Sequence, residues 1–98
     1  MNEIIIMYGK LDLKSFVIKI DELKLYYENR YIDITKEKLD ELLNILVFFK
    51  NNDYKTNHID SIDYDVFVVL NGEEVRYRGN NSSNLGRIKD FLGGLNVR

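Results

Sequence analysis

The chain predicts an α+β domain: an antiparallel sheet of five or six strands built from hairpins, with two helices packed on one face. Three observations carry that expectation. The segments LKLYYENRYIDI and DVFVVLNGEEVRYRG each fold back on themselves in a single register that sorts their side chains onto two faces. Two further segments, after Thr35 and around residues 82–95, carry leucines at helical spacing. The order is a β-rich N-terminal half, a helix, a hairpin and a helix, which keeps strands and helices segregated as in α+β folds.

The first element is EIIIMY, residues 3–8, a short apolar run of the kind that forms a buried strand. GKLDLKS follows as a connection. Phe16, Ile18 and Ile20 then alternate with Val17, Lys19 and Asp21, the period-two pattern of a second strand. In the first hairpin, a Glu28-Asn29 loop sets Leu25 opposite Ile32 and Leu23 opposite Ile34 on one face. Tyr26 then faces Tyr31, and Lys24 faces Asp33, on the other. Asn29 is the expected site of a positive φ in that turn.

Thr35 is positioned to cap a helix, with Ile34 and Leu39 at the two hydrophobic-staple positions. Leu39, Leu42, Leu43, Leu46 and Phe49 form its stripe, Ile45, Val47 and Phe48 widen it, and Asn51 and Asn52 are the expected stops. Residues 51–64 are the most polar stretch, contain the only histidine, His58, and read as a connecting loop. Asn71-Gly72 then marks a hairpin whose register puts Val66, Val68, Leu70, Val75 and Tyr77 on the core face. On its other face Phe67 meets Arg76 and Asp65 meets Arg78. The last helix, capped by Ser82 or Ser83, turns Leu85, Ile88, Leu92 and Leu95 inward and ends at Gly93-Gly94.

Composition bounds the chemistry. Ninety-eight residues, 45% apolar and 31% charged, make one globular domain, 1–98, able to bury a core. The net charge of −2 exerts no general pull toward nucleic acid or membrane. No apolar run is long enough to span a bilayer, and MNEIIIMYGK lacks the basic start of a signal peptide, so a cytoplasmic location is expected. The absence of cysteine removes disulfides, thiolate zinc sites and a cysteine nucleophile. Ala, Pro, Gln and Trp are missing while Asn and Ile abound, a bias that points to an AT-rich bacterial, phage or mobile-element genome.

The stretch VRYRGNNSSNLGR, residues 75–87, has the outline of a phosphate-binding turn. Its glycines, Gly79 and Gly86, are too far apart for a Walker loop, and Arg87-Ile88 stands where Lys-Ser or Lys-Thr is required. His58 with Asp60, Asp63 and Asp65 lacks the second His or Cys of a usual zinc set, and DSIDYD lacks the glycine and closing glutamate of a calcium loop. Ser61, His58 and Asp60 are too close in sequence to converge as a triad. No catalytic residue, metal or cofactor is therefore assigned.

Two binding readings remain. Residues 53–74 hold six acids and one lysine, while 76–98 hold five bases and one acid. Arg78, Arg87 and Lys89 in the basic block are candidate nucleic-acid or anion contacts. The stronger reading is a protein-binding face. With both helices on the inner side, Tyr26, Tyr31, Phe67 and Val69 look outward beside Arg76, a composition typical of interface hot spots. The sequence thus favours a small non-catalytic module that blocks or bridges a partner protein, such as an anti-CRISPR-like phage inhibitor or a toxin-immunity protein. A nucleic-acid-contacting module is the alternative; self-association is compatible with either, and no membrane partner is expected.

Overall fold

The computed structural model describes residues 2–52, 63–80 and 82–95. Eight elements follow one another: β1 (Glu3–Gly9), β2 (Lys14–Lys19), β3 (Lys24–Tyr27), β4 (Arg30–Asp33), α1 (Lys36–Asn52), β5 (Asp63–Leu70), β6 (Glu73–Gly79) and α2 (Ser82–Gly93). The strands form one antiparallel sheet of six, in the order β4-β3-β2-β1-β5-β6. The fold is thus the expected α+β domain, with six strands rather than five.

Both hairpin registers agree with the sequence pattern. Leu25 pairs with Ile32, Tyr26 with Tyr31 and Lys24 with Asp33, and the Ile34 N–H donates to the Leu23 carbonyl at 2.9 Å. In the second hairpin Phe67 pairs with Arg76 and Asp65 with Arg78. Asn71 and Gly72 adopt φ of 52° and 83°, the two positive values that a two-residue turn between right-twisted strands requires. In the first hairpin the positive φ falls on Glu28, at 56°, and not on Asn29. A turn with its left-handed residue first puts the strain one position earlier than the Asn signal suggests.

The core lies between the inner sheet face and the two helices. Ile4, Ile6, Phe16, Ile18, Leu25, Tyr64, Val66 and Val68 come from the strands, and Leu39, Leu42, Leu46, Leu85, Ile88, Phe91 and Leu92 from the helices. Thr35 caps α1 as its position demands, its Oγ1 accepting from the Lys38 N–H at 3.1 Å, with Ile34 and Leu39 buried beside it. In α2 the buried positions Asn84, Leu85, Ile88, Phe91 and Leu92 form one stripe, which includes Phe91 and Asn84 beyond the leucines and isoleucine of the sequence pattern. The Asn84 amide donates to the Tyr64 hydroxyl at 2.9 Å inside the core.

Several local expectations are corrected. Val75 shares the inner face with Val66 and Val68 but is 46% exposed on β6, the edge strand of the sheet. Val47 is exposed too, so the apolar stripe of α1 is narrower there than the sequence suggests. Asn51 and Asn52 continue α1 rather than stopping it. Ser82 and Ser83 occupy the first turn of α2, inside the helix. Ile20 belongs to the β2–β3 turn, though it still packs on the core. The side chains of Phe48 and Phe49 and the 53–62 segment with His58, Asp60 and Ser61 lie outside the described residues. No helix among those described is long and apolar enough to cross a membrane.

Candidate protein-binding face

Strand alternation divides each strand between the core and the outer face. The outer face is organised in rows, because the five antiparallel registers align its residues from edge to edge. One row reads Arg76, Phe67, Ile5, Val17, Tyr26, Tyr31 across β6, β5, β1, β2, β3 and β4. Six strands spaced about 4.8 Å apart make this row roughly 24 Å long. Phe67, Ile5, Val17 and Tyr26 are half-buried, and Tyr31 is 57% exposed. No described helix lies on this face.

The ends of the row are fixed by specific contacts. The Tyr26 and Tyr31 rings meet tilted, with centroids 5.7 Å apart. Lys24 places its Nζ 4.2 Å from the Tyr31 centroid. At the other end the Arg76 guanidinium lies 4.6 Å above the Phe67 ring. It also donates from Nε and Nη2 to the two oxygens of Asp65, at 2.9 and 2.6 Å. That hydrogen-bonded carboxylate holds Arg76 above its ordinary pKa range.

A charged row runs alongside: Glu74, Val69, Glu3, Lys19, Lys24, Asp33. Lys19 bonds Glu3 at 2.6 Å and Lys24 approaches Asp33 at 3.3 Å. Hydrogen bonding to Glu3 raises Lys19 above the ordinary lysine range, and hydrogen bonding to Asp33 does the same for Lys24. Val69 therefore sits in the charged row, between Glu74 and Glu3, and not in the aromatic row. The arrangement is an apolar stripe bordered by a charged row in which Glu3–Lys19 and Lys24–Asp33 are paired, so a partner can cover that part of the border without burying an unmatched ion.

The sequence places Tyr26 and Tyr31 beside Phe67 and Arg76. The structure instead sets the two hairpins at opposite ends of the sheet, and β1 and β2 fill the gap with Ile5 and Val17. Those two residues escape sequence reasoning because the run EIIIMY is apolar at nearly every position and hides its own alternation. A signal is nevertheless present: a strand apolar on both faces, in a domain with helices for only one, has an apolar face left over.

The C-terminal cations are separated by the sheet. Arg76 and Arg78 project on the outer face, and the Arg78 Nε is 3.9 Å from Asp65. Arg87 and Lys89 are exposed on α2, on the helical side, and the Lys89 Nζ lies 5.8 Å from the Tyr8 ring. No protein-family model matches the chain, and no curated protein matches its sequence.

Proposed function

We propose that this chain is a small non-catalytic protein-binding module that blocks or bridges a partner protein through its outer sheet face. A phage-type inhibitor of a defence system and a toxin-immunity protein are roles of this kind. The single observation that supports the reading is the row Phe67, Ile5, Val17, Tyr26 and Tyr31, ending on Arg76 and left without a described covering element. Rigid aromatics with a preorganised arginine are what interface hot spots are made of, and a surface of fixed strands loses little entropy on binding.

The test is an affinity capture from a low-GC bacterial lysate, split so that one half is nuclease-treated, with the Tyr26→Ala/Phe67→Ala variant in parallel. A stoichiometric protein that survives nuclease and is lost with the folded double variant is the expected result. Capture that is unchanged in the variant, or that vanishes with nuclease, overturns the assignment of this face.

A further inference from the structure

The two edges of the sheet are unlike. β4 is only four residues long, a length that by itself discourages further pairing. β6 runs for seven residues from Glu73 to Gly79, in unbroken register with β5 and with no bulge or proline. Among the described residues nothing pairs with its outer side. Among the described residues charge is the protective device it carries, and that charge is ordered: Glu73 and Glu74 come first, Arg76 and Arg78 last.

Backbone polarity narrows what this edge can accept. A two-residue turn at Asn71-Gly72 makes Leu70 and Glu73 a hydrogen-bonded pair. Alternation along the ladder then directs the N–H and C=O groups of Val75 toward β5, and those of Glu74 and Arg76 toward the open edge. A parallel copy of β6 would set glutamates near glutamates and arginines near arginines. An antiparallel copy reverses the order and matches opposite charges.

We propose that β6 pairs antiparallel with β6 of a second copy of this chain, about a two-fold axis through Val75. In that register Glu74 and Arg76 of one copy exchange backbone hydrogen bonds with Arg76 and Glu74 of the other. Their side chains share the outer face, where the Arg76 Nη1 remains available to the second carboxylate after Nε and Nη2 have engaged Asp65. Val75 of each copy meets its equivalent on the inner face, which covers a valine that is otherwise 46% exposed. The alternative register about Arg76 would set two guanidinium groups face to face. This contact shares Arg76 with the outer-face reading and leaves the apolar rows of both copies open on the same side.

The chain contains no cysteine, so introduced thiols report the register directly. Val75→Cys places two thiols across a non-hydrogen-bonded pair, where Cα atoms lie about 4.5 Å apart and a disulfide closes without distortion. Glu73→Cys is the control, since in this register its counterpart is Tyr77 and the two thiols are too distant to join. Under mild oxidation with oxidised glutathione, Val75→Cys should form a covalent dimer and Glu73→Cys should not. Sedimentation equilibrium of the native chain should show a dimer, and Glu74→Arg should weaken it by roughly tenfold or more. A native chain that is monomeric at every concentration, equal cross-linking of both variants, or an unaffected Glu74→Arg dimer would each overturn the pairing.

Discussion

Arg76 closes on Asp65 through two hydrogen bonds, 2.9 and 2.6 Å, while its guanidinium lies over Phe67, 4.6 Å from the ring centre. The carboxylate thus holds the cation in place above the aromatic. An exposed pair of this kind adds little to folding stability, and its effect is one of order. The Arg76 Nε–H should therefore give a protected resonance in NMR spectra. In Asp65→Asn that resonance should broaden into exchange with water while the thermal midpoint moves by only a few degrees. A resonance that is already lost in the native chain would show that the pair does not persist in solution.

Two glycines should respond in opposite directions to the same substitution. Gly9 ends β1 at a φ of 146°, and a Cβ there would collide with the Asp12 carbonyl oxygen. Gly9→Ala should cost about 1–3 kcal/mol from strain, and more if the loop must move. Gly86 lies in α2, where a methyl group on its Cα would meet nothing within 4 Å. Gly86→Ala should stabilise by about 0.5–1 kcal/mol through helix propensity. Urea denaturation of both variants measures the contrast.

The Asn84–Tyr64 hydrogen bond links α2 to β5 where both residues are almost fully buried. Asn84→Ala should destabilise by about 1–3 kcal/mol, since it both opens space and strands buried polar atoms. Tyr64→Phe keeps the ring and should cost less, about 0.5–1.5 kcal/mol. A double-mutant cycle should return a favourable coupling energy; strict additivity would mean that the bond contributes nothing.

Stability should decline in alkali from about pH 10 upward. Burial raises Tyr8 and Tyr27 above the ordinary tyrosine range by penalising their phenolates. Lys19 and Lys24 are raised by their hydrogen bonds to Glu3 and Asp33. All four shifts have the same sign. The folded state keeps these protons longer than the unfolded chain, so its advantage is complete below the ordinary values and is lost as pH rises through the folded ones. Urea midpoints measured from about pH 7 to about pH 11 should show the fall, and Tyr27→Phe should flatten it.

Local pairing is legible from the residues; the assembly of the pairs is not. Each hairpin carries its register twice, once in its turn and once in the sorting of its faces, so Tyr26–Tyr31 and Phe67–Arg76 can be read directly. The capping of α1 by Thr35 is similarly local. The distance between those two pairs depends on where β1 inserts, and a run of three isoleucines carries no mark of its neighbours. Val75 illustrates the same limit: its pattern says inward, but only the strand order reveals that inward at this edge is partly solvent. Asn84 is obscured because a buried amide resembles a surface one until its partner, Tyr64, is known.

During synthesis β1 must wait for one of its two partners. β2 follows it at once, but β5 begins only at Asp63, after all of α1. A ribosome adding about 5–20 residues per second leaves an interval of a few seconds between completion of the first four strands and completion of β5. During that interval Glu3–Gly9 is an unpaired edge, apolar over Ile4, Ile5, Ile6 and Met7 and without proline, the composition that nucleates intermolecular β-structure. The nascent chain therefore exposes this apolar edge until Asp63–Leu70 is made, and pairing with β5 is what covers it.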